Sequence, residues 1–415
     1  MKIIEMIKSK TAAYFPALES ENFGFFWISQ CVSVIGSWIQ SVGQSWLVFS
    51  LTKSPFLLGI IGALQYIPVL LFSVFAGVFI DKTSKKTILI LTQTAYILLS
   101  LLLALLVWTG YIRIWHIISA GILQGFINTL DMPARQAIVS ELVEREHVLS
   151  AIALNSSVFN AARIIGPALA GILMGYFGIA ACFLINAFGF ILALLLTVKI
   201  QPETVRKDIL QTSSPSFFSD MRMGLAYLSE NKMLYKILLL VAVMGIFALN
   251  FNVLIPVLSS DVFHQDEAGF GFLMSAMGIG SFAGAIFLAA KGRAVTGITP
   301  LVILPFIMSL LLALTAFVTN YSMMIMLLAL SGLVNTMFFT SANSSLQLMT
   351  LDEYRGRITS LYTLVYGGTA PIGNFFVGWI TEGYGIQSGF LWSGILNLIF
   401  VIPIVLMRSG KEFSH

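Results

Sequence analysis

The residue type most out of place in this sequence is Arg163. It lies inside the run Asn155-Ser-Ser-Val-Phe-Asn160-Ala-Ala-Arg163-Ile-Ile-Gly166-Pro167-Ala-Leu-Ala-Gly171. In the apolar span near 148–176 at least thirteen residues, or roughly 20 Å at 1.5 Å per residue, separate Arg163 from either end. A base at bilayer depth costs roughly 2.5–3.5 kcal/mol on insertion scales, so it needs a wet cavity or a partner. Two readings stand. Either Arg163 lines a substrate path and attracts an anionic or electron-rich group on the cargo, or it fixes packing through Asn155, Asn160, Gln124, Asn128 and Asp131. Near the start of the chain Gln30, Ser33, Ser37, Gln40, Ser41 and Gln44 recur at steps of three or four and draw one polar stripe along a helix. Gln124, Asn128, Asn250, Asn252, Asn335, Tyr362 and Tyr366 add polar groups within other apolar runs. With Arg163 and Asn160 they are the expected lining of a central cavity, where Trp38, Trp46, Tyr362 and Tyr366 could stack on a flat cargo. Asp131 is the acid expected inside the membrane, for gating first and proton carriage second.

Enzyme chemistry finds no footing. No phosphate loop, zinc-binding helix or nucleophile elbow occurs. Cys31 and Cys182 fall in apolar runs and read as inert thiols, and the four histidines are scattered, so neither a disulfide framework nor a metal site is written here.

The elements that must position these residues follow from composition. Of 415 residues, 58% are apolar and 10% charged, and the mean hydropathy is +0.91. Soluble chains carry about 25% charged residues, so the apolar surplus must face lipid. A spanning helix needs roughly 20 apolar residues. Twelve such runs lie near 24–51, 56–79, 87–109, 115–132, 148–176, 180–198, 234–260, 268–290, 299–318, 322–350, 357–381 and 386–407. Residues 1–22 are charged without a cleavage pattern, so the first run is expected to stay as a span. Of 23 basic residues, all but Lys53, Arg113 and Arg163 fall on one side of this topology. Bases collect on cytoplasmic loops, which puts both termini in the cytoplasm of a multi-pass inner (plasma) membrane protein. Spread over short loops, the bases do not make a nucleic-acid face.

The longest break divides the chain into 1–198, a linker at 199–233 and 234–415. In the linker Ser214-Pro215 reads as the start of an amphipathic helix with Phe217, Phe218, Met221, Leu225 and Leu228 on one face, lying on the inner membrane surface. The two halves also match weakly but in order. Gly166-Pro167-Ala168 aligns with Ala370-Pro371-Ile372, and Tyr176-Phe177-Gly178-Ile179 with Gly383-Tyr384-Gly385-Ile386. The sixth, ninth and twelfth runs are nearly bare of polar residues, with Asn186 and Asn397 the main exceptions, which suits lipid-facing helices.

Between the second and third runs stands Gly77-Val-Phe-Ile-Asp81-Lys82-Thr-Ser84-Lys85-Lys86. It resembles the signature loop of the major facilitator superfamily, with Ser84 where that loop has its second glycine; a positive φ there would strain serine. The resemblance implies that Asp81 caps the start of the eleventh helix near Gly356 and Arg357, and that Lys82 or Lys85 meets Asp131. Gly166, Pro167 and Gly171 resemble the antiporter motif of facilitator exporters, and Pro167 predicts a kink or pivot. Leu130-Asp131-Met132-Pro133-Ala134-Arg135-Gln136-Ala137 and Arg355-Gly356-Arg357 extend the likeness to the third drug-proton antiporter group, which includes siderophore exporters and macrolide efflux pumps.

The expected fold class is therefore an all-α membrane protein, with twelve transmembrane helices in two pseudo-symmetric six-helix bundles. The expected function is export of a small organic molecule by alternating access, driven by the proton gradient with no cofactor. The chain is expected to act as a monomer whose partners are its substrate and the lipid bilayer. An importer or a lysolipid flippase of the same fold is the alternative.

Overall fold

The computed structural model describes residues 15–201, 217–291 and 298–407, and among them the regular structure is helical throughout. In chain order the helices are α1 (Glu21–Thr52), α2 (Pro55–Leu64), α3 (Ile67–Lys82), α4 (Lys85–Trp108), α5 (Ile114–Leu142), α6 (Val148–Phe177) and α7 (Ile179–Lys199). There follow α8 (Phe217–Glu230), α9 (Lys232–Ala248), α10 (Phe251–Asp261), α11 (Glu267–Lys291), α12 (Ile298–Thr315), α13 (Tyr321–Met349), α14 (Asp352–Tyr384) and α15 (Ile386–Leu406). Each of the twelve expected runs is helical. Two are broken: the second into α2 and α3 just before Ile67-Pro68, and the seventh into α9 and α10 at Leu249-Asn250. Proline lacks the N–H that would continue the ladder and is tolerated at a helix start, which accounts for the first break. Helix α5 outruns its expected end, passing through Pro133 to Leu142.

Contacts divide the chain into two compact units: residues 1–44 with 67–213, and residues 45–66 with 214–415. The sequence suggested a single cut in the linker. The segment 45–66 belongs by chain order to the first six spans but packs with the second unit, through α2 against α14.

Inside each unit the same devices recur. Gly178 (φ 76, ψ 170) and Gly385 (φ 85, ψ 165) end α6 and α14 in a backbone region open only to glycine. Each donates its N–H to the carbonyl four residues back, on Met174 and Thr381 respectively. Asn186 of α7 donates to Ser100 Oγ (2.9 Å) and Gln40 Oε1 (2.6 Å), while Asn397 of α15 donates to Ser309 Oγ (2.8 Å) and the Pro305 carbonyl (3.2 Å). Both asparagines are buried, so the rare polar groups of these helices tie them to α4 and α12. The carbonyl ends of α7 and α15 are closed by ammonium groups. Lys86 reaches Val198 and Ile200, and Lys236 reaches Val405, complementing the negative end of each helix.

The linker helix is present as α8. Ser214 and Pro215 lie outside the described residues. Tyr227 stacks on Tyr354 at 4.3 Å, and a Cβ at Gly224 would touch Arg357, so α8 packs on the first turns of α14.

Candidate functional site

In the first unit α1 and α6 cross at Gly166, where an added Cβ would overlap the Trp38 side chain. Only glycine permits that approach. One turn earlier on α6, Arg163 holds its guanidinium carbon 5.9 Å from the centroid of the Trp38 ring. The arginine is half-buried, and its buried Nε has no hydrogen-bond partner among the described residues. Asp131, its expected carboxylate partner under the packing reading, is taken elsewhere. The pair is therefore a cation against an aromatic face, a contact that gains strength as water is excluded. Replacing Gly166 with alanine is expected to force the helices apart and cost about 1–3 kcal/mol, read as a lowered melting temperature in detergent.

Deeper between helices lies a polar cluster. Asp131 pairs with Arg135 one turn along α5, and both are 6% exposed. Thr92 of α4 donates to the free carboxylate oxygen at 2.6 Å. Arg135 donates in turn to Gln30 and, at 3.3 Å, to Ser33 of α1, and Gln30 donates to Asn155 of α6 at 3.2 Å. Four helices are thus joined through one ion pair. This corrects the partner expected for Asp131: Lys85 meets Glu141 at 3.2 Å instead, and Lys82 is exposed. The ion pair forms within α5 because residues 131 and 135 are four apart on one face.

The polar stripe of α1 does not act as one surface. Gln30 and Ser33 serve the ion pair, Gln40 accepts from Ser100 and Asn186, and Gln44 accepts from Gln124 at 3.3 Å. Gln40, Gln44 and Gln124 are buried, whereas Ser37 and Ser41 are exposed. The expectation that all three glutamines line a cavity is corrected: their amides hold helices together. Asn128 is exposed and accepts from Tyr96 at 2.6 Å. The side chains of Asn160 and Asp81 lie outside the described residues.

In the second unit Asn250, in the break between α9 and α10, donates to the Ile246 carbonyl of α9, and Asn335 donates to the Ala248 carbonyl. Both are buried, which moves them from lining to packing as well. Tyr362 and Tyr366 are half-buried and stack at 6.0 Å, with the Tyr362 hydroxyl donating to Phe339. Trp46 stacks on Phe270 at 5.2 Å rather than being left open for a flat cargo.

Among the remaining motif positions, Ser84 begins α4 at φ −59, so the serine is unstrained. Lys86 caps α7. A Cβ at Gly77 would meet open space. Pro167 and Gly171 are buried within a helix that runs unbroken to Phe177. Sequence reading passed over Thr92 and Ser100. A lone hydroxyl in an apolar run was the available signal.

Nine segments among the described residues are long and apolar enough to cross a membrane, which marks the class as a multi-pass membrane protein. The chain matches the transmembrane secretion effector family over residues 11–412 and belongs to it, within the major facilitator type. It is 25% identical to the staphyloferrin A transporter of Staphylococcus aureus, over 90% of this chain and 93% of that one. It is 24% identical to macrolide efflux protein A of Streptococcus pyogenes, over 95% and 97%, and 20% identical to the multidrug efflux pump Tap of Mycolicibacterium fortuitum, over 91% and 94%. Among solved structures it resembles the nucleoside transporter NupG (TM-score 0.72, 14% identity, 94% of this chain and 100% of that one). It also resembles an inward-facing bacterial homologue of the human lysosomal transporter Spinster (TM-score 0.70, 12% identity, 93% and 95%). These likenesses establish the fold.

Proposed function

We propose that this protein exports a small organic molecule carrying an anionic or electron-rich group, by alternating access in exchange for protons across the plasma membrane, with both termini in the cytoplasm. The observation that carries the reading is Arg163 held over Trp38 at mid-span, with its Nε unpartnered. Arg135, which serves packing, by contrast spends its Nε on Asp131 and its Nη1 on Gln30 and Ser33. In the first unit the half-buried Trp38 and Arg163 and the exposed Asn128 are the cargo candidates, and in the second unit the half-buried Tyr362 and Tyr366. That the family is one of secretion effectors, and that relatives are named for efflux, supports the outward direction. The gate expected at Asp81 remains part of the proposal.

The test is an accumulation screen over macrolides, dyes and catecholate siderophores in cells with and without the gene. Cells lacking the protein are expected to retain at least one of these, and an uncoupler is expected to abolish the difference. Cells that instead fail to take up a solute would identify an importer, and an uncoupler-insensitive difference would remove proton exchange.

A further inference from the structure

The short helix α2 is docked by a contact set that cargo binding does not use. Its docking is built for close approach. A Cβ at Gly62 would lie 2.9 Å from Asn374 Nδ2 of α14, and one at Gly59 would overlap the Asn374 carbonyl oxygen. From the other side, a Cβ at Gly378 would lie 2.8 Å from the Pro55 carbonyl oxygen and 3.2 Å from Phe56 Cα. Beside this seam Phe56 meets Phe375 edge-on at 5.5 Å.

Glu382 closes the end of the seam. Its Oε2 accepts from Ser54 Oγ at 2.8 Å and from the Phe56 backbone N–H at 3.2 Å. Ser54 is the N-cap of α2, accepting from the Leu57 N–H at 3.1 Å. The carboxylate of α14 thus satisfies an N–H that α2 cannot satisfy itself, and it lies against the positive end of that helix. Glu382 is exposed, in a cleft shared with Lys53, Asp261 and Thr381.

We infer that Glu382 is a latch: its carboxylate caps α2 only while that helix is docked on α14, and so sets the fraction of the transport cycle that α2 spends docked. The inference rests on the alternating-access reading above. Three features make the contact reversible. Its hydrogen bonds are reachable by water, so they exchange with solvent on opening. The seam is mostly glycine against backbone, with Phe56 on Phe375 as the ring contact beside it. And α2 is flanked by two swivels, Lys53 in the left-handed region (φ 50) and the break at Gln65-Tyr66.

The experiment labels a single cysteine with a maleimide on the purified full-length chain in detergent, with Cys31→Ser and Cys182→Ala as background. The reporter is Leu58→Cys, buried on α2, and the control is Met308→Cys, buried on α12. Glu382→Gln, which removes the charge from the helix start, is expected to speed reporter labelling about two- to fivefold. Glu382→Ala, which also removes the acceptor, is expected to speed it further, with the control unchanged in both. An unchanged reporter rate in Glu382→Ala overturns the latch. So does a parallel rise in reporter and control, which would make Glu382 a general stabiliser. No cargo enters this measurement, so a reporter-specific response in a protein that fails every efflux assay would count against the transport reading alone.

Discussion

Cells making the Arg163→Ala variant are expected to accumulate cargo almost as if they lacked the protein, with efflux down at least tenfold and the amount in the membrane unchanged. The guanidinium lies over Trp38 with its Nε unpartnered, and a hydrogen bond from it to an anionic cargo group is worth about 1.5–3 kcal/mol, where 1.4 kcal/mol already corresponds to a factor of ten. Insertion does not suffer, because a central arginine costs roughly 2.5–3.5 kcal/mol to place in the bilayer, and alanine removes that cost. Arg163→Lys keeps the charge but loses the planar face that stacks on indole, so it is expected to fall between the wild type and alanine. Turnover at the normal rate by a correctly inserted alanine variant would return Arg163 to a packing role. A loss of folded protein in proportion to the loss of efflux would do the same.

The chain showed its helices more plainly than its chemistry, for a physical reason. Hydrocarbon imposes one rule on every spanning residue, so runs of apolar letters located the helix ends to within about five residues except at the end of α5, and Gly178 and Gly385 close the matching segments of the two halves in a conformation other residues avoid. Inside the bundle a polar side chain has two uses, facing a wet path or satisfying a neighbour, and spacing alone does not separate them. Gln40 and Ser37 belong to one stripe of α1, yet Gln40 is consumed by Ser100 and Asn186 while Ser37 is exposed. The deciding partners sit 60 and 146 residues away. Lys85 illustrates the same limit: a lysine in a basic turn can reach any acid nearby, and Glu141 was as available as Asp131. The docking of 45–66 on the second unit was illegible for a different reason. It depends on glycines matched across two distant segments, and glycine in a membrane helix is too common to point at its partner.

Asp131→Asn is expected to cost most of the folded protein, about 3–5 kcal/mol, because it leaves the buried guanidinium of Arg135 without its counter-charge. Thr92, Gln30 and Ser33 would still surround the site, but hydroxyls and a neutral amide do not neutralise a base. Removing both charges together changes the sign of the argument. In Asp131→Leu with Arg135→Met no charge remains to be desolvated, and replacing a buried pair by apolar groups is often neutral or stabilising. The double variant is therefore expected to recover the wild-type melting temperature in detergent. Its transport then separates two roles for Asp131. If the pair only clamps α1, α4, α5 and α6, the double variant exports with full sensitivity to an uncoupler. If Asp131 also carries the proton, the double variant folds but moves cargo only down its own gradient. A single Asp131→Asn variant that loses less than about 1 kcal/mol would show that the pair contributes no more than an exposed one, against its burial.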